Sequence, residues 1–361
     1  MKICNIQEIP GIEKNVLEYM QEKQHEKVVF CSDESSNLKA IIAIHNTNLG
    51  PALGGTRMWN YSSISEAIQD VLRLSRGMTY KAAITGLNLG GGKAVIIGDS
   101  KDKTPEMMNA FGKFVESQCG QYITAEDVGM TTKDMELIFQ ETNHVVGKPF
   151  ELGGSGDPSV ITAYGTLMGM KGSAKYKWGH DSLKDKKVLI QGVGNVGKNL
   201  IKLLNDEEAI IYVNDVNEDK VKEIAKNYNV NILSDNIYNA EVDIYAPCAL
   251  GGTLNDETIP QLKCSIIAGA ANNQLAQEYI HDEMLARYNV LYAPDFLINA
   301  GGLINVYSEL KGYSHDQVML KTEKIYNTTI EILNKSEKDN ISTQKAALQI
   351  AKERVFQKNS A

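Results

Sequence analysis

Residues 183–204, "LKDKKVLIQGVGNVGKNLIKLL", read as a strand, a glycine turn and a helix in immediate succession. The apolar run Val188–Ile190 leads into Gly192, Gly194 and Gly197, and Leu200, Ile201, Leu203 and Leu204 follow at helical spacing. Alone, Gly192-x-Gly194-x-x-Gly197 is also the pattern of any tight strand–helix turn. Its context points to a dinucleotide site. Residues 209–228, "AIIYVNDVNEDKVKEIAKNY", form a second strand, an acidic turn and a helix. That strand ends at Asp215, about 20 residues after Gly192, the separation such sites use. Gly192 would permit the turn, Gly194 would let a pyrophosphate approach, and Gly197 would let helix and strand pack closely, a packing that alanine is expected to permit as well. The helix N-terminus offers free N–H groups to phosphate. Asp215 can accept both ribose hydroxyls and would repel a 2′-phosphate, and no Arg follows in "NDVNED". The expected cofactor is NAD, not NADP. Further short apolar strands, "VNIL" (230–233), "VDIYAPCA" (242–249), "CSIIAGAA" (264–271) and "VLYAPDFLINAGG" (290–302), alternate with turns or helices. That alternation predicts a parallel sheet of doubly wound, Rossmann-like type. An amphipathic helix is expected from about Lys321 onward.

The whole chain narrows the possibilities. Its 361 residues are 43% hydrophobic and 23% charged, enough for about two domains with ordinary cores. With net charge −8 and no Lys/Arg-rich run, it lacks the basic face of a nucleic-acid-binding protein. No apolar stretch of ~18 residues predicts a membrane span. The start, "MKICNIQEIPG", lacks the apolar core of a secretory signal, so a cytoplasmic location is expected. Cys4, Cys31, Cys119, Cys248 and Cys264 are odd in number and not at metal-ligand spacing. They read as buried thiols in a reducing compartment. The six histidines include no HxxxH pair, and no metal site is expected.

The first half must supply what a dinucleotide domain lacks. "KVVF" (27–30) and "LKAIIAIH" (38–45) read as strands around the polar turn "SDESSN". Ser63-x-x-Glu66 is a capping box for a helix to about Met78, with Lys81 at its end. Thr104-Pro105 starts another helix, whose Met107, Met108, Phe111, Phe114 and Val115 read as core. "GPALGGTRMW" (50–59) and "GLNLGGGK" (86–93) are glycine-dense but bounded by apolar segments, which suggests close backbone approach to a ligand or a neighbouring strand. Gly90–Gly92 before Lys93 do not make a phosphate-binding loop: the leading Gly is misplaced and Ala94 stands where Ser or Thr is needed. A lysine in such apolar surroundings loses its proton more readily and can act as a base. "GQYITAEDVGM" reads as a short strand ending at a carboxylate pair, and Asp127 there, like Lys81 and Lys93, lies at the end of a regular element.

The blocks "LGPALGGTRMW", "RGMTYKAAITGLNLGGGKAVI", "YITAEDVG", "QGVGNVG", "APCALGG", "IAGAANNQL" and "APDFLINAGGLINV" resemble the leucine dehydrogenases of the Glu/Leu/Phe/Val amino-acid dehydrogenase family. The resemblance runs in order from about residue 27 to beyond 310. It implies NAD-dependent, reversible oxidative deamination of a branched-chain aliphatic L-amino acid to a 2-oxo acid and ammonium. It implies an α/β protein of two domains, with an active-site cleft between them. Residues 1–146 would form a substrate and oligomerisation domain and 147–335 the NAD domain. Residues 336–361 would form a helical segment returning to the first domain. Lys93 and Asp127 match the catalytic residues, Lys93 activating water against the iminium and Asp127 exchanging the amino group's protons. Lys81 matches the residue holding the substrate carboxylate. Leu53, Gly54, Ala125, Val146, Leu303 and Val306 match the side-chain pocket, and Asn273 a position near substrate and cofactor. Thr162 matches a nicotinamide contact, and Asn195, Val196, Cys248 and Ala249 further cofactor contacts. The glycines before Lys93 would then give substrate and nicotinamide close access to its amine. Self-association, as octamers in many relatives, is also implied.

Four departures bear on this expectation: Gly197 where alanine is frequent, Asp157 for Asn, Val146 for Thr and Leu303 for Val. The last two touch the pocket: Val146 makes its wall drier without reducing its size, and the extra methylene of Leu303 shifts the expected balance toward valine. A valine- or phenylalanine-preferring enzyme, or a non-catalytic NAD- or amino-acid-binding regulator, are the alternatives.

Overall fold

The computed structural model describes residues 16–357, and the features below are those of these residues. The N-terminal stretch read for a secretory signal, and Cys4, lie outside them. The chain divides into two compact units. The first comprises the chain up to Gly156, Val306–Tyr313 and the chain from Lys352 on, and the second comprises Asp157–Asn305 and Ser314–Ala351. This division differs from boundaries after 146 and 335. The difference arises because two helices, Gly301–Glu309 and Thr343–Phe356, each begin in the second unit and end in the first.

The first unit is built on a mixed sheet of β1 (Lys27–Asp33), β2 (Leu38–Asn46), β3 (Ala52–Trp59), β4 (Gly90–Ile97) and β5 (Tyr122–Glu126), in the order β1-β2-β4-β3-β5. β1 and β2 pair antiparallel, as do β2 and β4, while β3 runs parallel to both β4 and β5. Strand alternation distributes the apolar residues to two cores. Leu38, Ala40, Ile42, Ile44, Ala94 and Ile96 pack with Met107, Phe111, Met135 and Ile138 from helices α3 (Pro105–Glu116) and α4 (Thr132–Phe139). Ile41, Ala43 and Val95 pack with Ala67, Ile68, Val71 and Leu72 of α2 (Ile64–Ile84), and with Val16 of α1 (Val16–Lys23). Odd-numbered residues of β4, Lys93 among them, therefore belong to the α2 side.

Helix α2 runs to Ile84, past the expected end near Met78, because Thr79, Tyr80, Ala82 and Ala83 are buried and extend its apolar face. Lys81 lies in its last turn. Ser63 caps its N-terminus, but the carboxylate of Glu66 accepts the N–H and hydroxyl of Ser62 instead of the Ser63 N–H.

The second unit holds a parallel six-stranded sheet, β6 (Lys187–Gln191), β7 (Ile210–Asn214), β8 (Val230–Ile232), β9 (Ile244–Pro247), β10 (Ile266–Ile267) and β11 (Leu291–Tyr292). Its spatial order, β8-β7-β6-β9-β10-β11, is 3-2-1-4-5-6 when its strands are counted in sequence. That is the order of the doubly wound dinucleotide-binding fold, whose ligand crevice lies where the winding reverses. Here the reversal is between β6 and β9. The helices are α5 (Ser159–Trp178), α6 (Asn195–Asp206), α7 (Glu218–Asn227), α8 (Glu278–Arg287), α9 (Asp295–Ile298), α10 (Gly301–Glu309), α11 (His315–Asp339) and α12 (Thr343–Phe356). The expected single terminal helix is thus two, broken at Asn340 in the left-handed conformation. Among the described residues no helix is long and apolar enough to cross a membrane. The thiols are not uniformly buried: Cys264 is, Cys31 and Cys248 are half-buried, and Cys119 is exposed. Cys119 sits at φ 51° in the turn after α3, where its side chain has no core to enter.

Candidate active site

In the first unit, three neighbouring parallel strands carry a charged cluster. Lys93 stands on β4, Arg57 on β3, and Asp127 just past the end of β5. Lys93 Nζ lies 2.5 Å from Asp127 Oδ2. Arg57 Nε donates to the same oxygen at 3.2 Å, and its Nη1 donates to Asp70 Oδ2 at 2.9 Å. Asp70 also accepts the Tyr61 hydroxyl at 2.8 Å and Arg73 Nη2 at 3.0 Å. Lys93 is only 6% exposed. Burial pulls its ammonium below the ordinary lysine range, against the opposing pull of Asp127. Burial alone would raise the Asp127 carboxyl, but Lys93 and Arg57 more than offset that and hold it below the usual range. The result is a desolvated amine within proton-transfer distance of a carboxylate, an arrangement suited to acid–base chemistry.

The glycines around Lys93 serve the fold. A Cβ on Gly90 would meet the Asn46 carbonyl oxygen at 2.0 Å, and one on Gly91 would meet the Thr79 nitrogen at 2.1 Å. A Cβ on Gly92 would meet the Tyr122 ring at 2.7 Å. Each missing side chain is replaced by protein, so the run does not open a path for ligand to the amine, contrary to the expectation from sequence. Instead it draws β4 close to α2 and to its neighbouring strands, and Lys93 is set deep as a consequence. Gly54, from the pocket set, is of the same kind: its Cβ would meet the Gly92 carbonyl oxygen at 1.7 Å. Leu53 pairs with Ile123, and Gly55 with Ala125, across β3 and β5. Val146 donates its N–H to the Thr124 carbonyl. Leu53, Gly54 and Ala125 thereby lie on adjoining strands, with Val146 bonded beside them. Leu53 and Val146 are almost fully enclosed. Leu303 and Val306 lie on α10, Leu303 buried and Val306 half-buried. Lys81 is half-buried in α2.

In the second unit, the glycine turn has the form its sequence suggests. Gly192 adopts φ +102°, a region that favours glycine, and its position is hemmed in by Ala249. Gly194 precedes Asn195, the first residue of α6, and a Cβ there would meet only open space. Asn195 and Val196 form the first turn of α6. A Cβ on Gly197 would sit 2.0 Å from the Gly192 carbonyl oxygen. Alanine would not serve equally here, because the obstacle is backbone. Cys248 donates its N–H to Gln191, which brings the end of β9 beside the turn. Asp215 Oδ2 accepts the Val193 N–H at 2.8 Å, and Oδ1 accepts the Asn217 N–H at 2.9 Å. Asp215 therefore braces the turn, a role that its spacing alone did not reveal. Thr162, in the first turn of α5, donates its hydroxyl to the Pro158 carbonyl and adjoins Gly302. Asn273 holds φ +52°, and its carbonyl accepts the Gly252 N–H. Asp157 accepts both the N–H and the hydroxyl of Ser159, so the charge at this position holds the first residue of α5. The turn, the helix terminus and Asp215 fit a dinucleotide. Among the described residues no group of three or more His, Cys, Asp or Glu is arranged to hold a metal ion.

Residues 24–144 match the family model of the Glu/Leu/Phe/Val dehydrogenase dimerisation domain, and 153–217 and 206–361 match that of the glutamate/leucine/phenylalanine/valine dehydrogenases. The chain belongs to this dehydrogenase family. It is an amino-acid dehydrogenase. It is 52% identical over 342 residues to the leucine dehydrogenase of Geobacillus stearothermophilus, covering 94% of this chain and 93% of that protein. It is 47% identical to the phenylalanine dehydrogenase of Caldalkalibacillus thermarum, covering 93% and 92%. The crystal structure of L-tryptophan dehydrogenase from Nostoc punctiforme superposes with a TM-score of 0.85 at 44% identity, covering 94% of this chain and 98% of that one.

Sequence reasoning about this dehydrogenase missed Arg57, Asp70 and Tyr61. A signal was available. Arg57 lies in "ALGGTRMW" among apolar and small residues, the same setting that singled out Lys93. It also missed Glu309, whose carboxylate accepts the N–H groups of Gly147 and Ser155 and the Ser155 hydroxyl, bracing the loop after Val146.

Proposed function

We propose that the chain catalyses the NAD-linked, reversible oxidative deamination of branched-chain aliphatic L-amino acids to 2-oxo acids and ammonium. The observation that carries this reading is the buried Lys93–Asp127 pair. The glycine turn 192–197 and Asp215 would hold NAD, which would supply the hydride acceptor for the α-carbon. Lys93, poorly solvated and so the readier to give up its proton, activates a water against the iminium carbon. Asp127 moves protons to and from the amino nitrogen until ammonium leaves. Lys81 pairs with the substrate carboxylate, and Thr162, Asn273, Cys248 and Ala249 complete the contacts to cofactor and substrate. Leu53, Gly54, Ala125, Val146, Leu303 and Val306 offer small or apolar surface. None carries a cation, so a glutamate side chain would be desolvated without a partner.

The match to leucine dehydrogenase supports an aliphatic substrate. The phenylalanine and L-tryptophan dehydrogenases among its relatives support a second reading with an aromatic substrate. Match to a dimerisation domain supports a homo-oligomer, and the four cysteines that are free among the described residues support a reducing, cytoplasmic setting. NADH formation with L-leucine, L-valine, L-isoleucine, L-phenylalanine, L-tryptophan and L-glutamate tests the reading. Highest kcat/KM on an aliphatic amino acid is expected. Preference for an aromatic one would transfer the assignment to the second reading, and no turnover on any would leave the regulator.

A further inference from the structure

The charged cluster described above includes an arginine, bonded directly to Asp127, that has no part in the chemistry proposed so far. We infer that Arg57 is a positioning residue, holding the Asp127 carboxylate in one orientation with Oδ2 on Lys93 and Oδ1 left to meet the substrate amine. The inference deepens the reading of Lys93 and Asp127 as the catalytic pair and rests on it.

Besides Lys93 and Arg57, only the adjacent Val128 N–H among the described residues bears on this carboxylate, and an ammonium, a point charge with rotatable donors, does not fix its orientation. Arg57 removes that freedom. Its Nε and Lys93 Nζ converge on the same oxygen, Asp127 Oδ2, from two neighbouring strands. Its guanidinium is planar, so fixing a second nitrogen fixes the first. Nη1 is fixed by Asp70 Oδ2 at 2.9 Å. Asp70 is in turn held at both oxygens, by the Tyr61 hydroxyl on Oδ2 and by Arg73 on Oδ1. The brace thus runs from α2 through β3 to the end of β5. An arginine that served only to neutralise Asp70 would have no reason to turn Nε toward the oxygen that already receives Lys93.

The electrostatics point the same way. Arg57 favours the charged form of Asp127 and disfavours the charged form of Lys93. The other ionisable groups that bear on this site are Asp70 and Arg73 from α2, Tyr61 after β3 and Tyr122 from β5. Tyr61 and Tyr122 are both shifted upward by burial, so neither titrates near neutrality. Loss of the Arg57 charge should therefore raise the apparent pKa of both Lys93 and Asp127 and move the whole activity profile toward alkaline pH.

The test uses the full-length enzyme with the L-amino acid that it turns over best. The variants are Arg57→Gln, Arg57→Lys, Asp70→Asn, Lys93→Ala and Asp127→Asn, each checked by thermal melting. Arg57→Gln should lower kcat roughly tenfold to a hundredfold, as misplacement of a reacting group does, with KM little changed. Its kcat/KM profile should shift by about one pH unit to the alkaline side. Arg57→Lys keeps the charge but cannot span both carboxylates, so its profile should stay in place while kcat is only partly recovered. Asp70→Asn should lower kcat by a smaller factor. A wild-type rate and profile in Arg57→Gln would overturn the inference. So would a rate loss shared equally by Arg57→Gln and Arg57→Lys with neither profile moved, the mark of a merely structural residue. If Lys93→Ala and Asp127→Asn retain activity, the catalytic reading itself fails. If they are inactive beside an unaffected Arg57→Gln, only the role of Arg57 fails.

Discussion

Glycine clusters occur in both units, and one glycine of the second, Gly194, is there for the opposite reason to those of the first. At 90–92 every absent side chain is replaced by the protein's own atoms, from Asn46, Thr79 and Tyr122. At 194 the absent side chain leaves open space before the N-terminus of α6. The first cluster buries Lys93 by tightening the sheet, and in the second Gly194 leaves the start of α6 open. Glycine density alone does not announce a ligand; what fills the vacated volume decides.

That contrast sets the predictions. Lys93→Ala, behind the tight cluster, should cost ~100- to 10,000-fold in single-turnover deamination while NADH fluorescence still reports binding. A loss below tenfold would remove Lys93 from the chemistry. In the open cluster, Asp215→Ala should weaken NAD and narrow its preference over NADP, since discrimination comes largely from repelling the 2′-phosphate. Because Asp215 also braces Val193 and Asn217, the variant should in addition lower the melting temperature. Steady-state kinetics showing comparable efficiency with NADP in the wild type would refute the assignment.

Alanine substitution separates the clusters directly. Gly91→Ala should destabilise the protein by about 1–3 kcal/mol or more, because its Cβ would meet backbone. Gly194→Ala should melt like the wild type but bind NAD less tightly. Denaturant titration and NAD affinity, measured on both variants, check this, and equal melting losses would erase the distinction.

Acid should also separate the units. In the first, burial lowers His25 to about 4 and His45 to about 3. The unfolded chain takes up those protons near 6.5, so stability falls as pH drops from there toward 4. In the second, burial raises Asp282 to about 6. That group contributes stability below about 4, which is lost as pH rises through 6. Hydrogen exchange at pH 7 and pH 5 should therefore show protection falling in β2 and α2 relative to α8. A uniform change would count against these groups as the cause.

The smallest effect expected is at Leu303. Leu303→Val should alter the leucine-to-valine kcat/KM ratio by the ~1–3 kcal/mol that one methylene commands. An unchanged ratio would show that Leu303 does not size the pocket.

The second unit was largely legible because its reasons are local. A glycine turn, an acidic strand end and alternating elements each occupy a few consecutive residues, and together they imply the observed strand order. In the first unit, Lys93 and Asp127 could be named, yet the partners that set their environment come from β3 and α2, distant in sequence. Asp70 was overlooked because it lies in no motif, and Arg57 because the glycine-rich block that contains it shows nothing of the carboxylates it meets from α2 and β5. The purpose of Gly90–Gly92 was misread because packing against Thr79 and Tyr122 leaves no trace in the residues around them. Helix α2 outran its predicted end for a similar reason: tertiary burial of Tyr80, Ala82 and Ala83 outweighed the local signal.

Arg354 donates to the carbonyls of Ala82 and Ala83 and to Asn88, and Asn48 donates to the Val355 carbonyl. These bonds fasten the end of α2 and the loop after β2 with residues that are translated after all of the described strands. On the ribosome, the strands of the second unit are all translated before Arg354 and Val355, whereas the first unit begins earlier and is completed last. A nascent chain stalled before residue 352 would carry the Lys93 strand with its final clasp still missing.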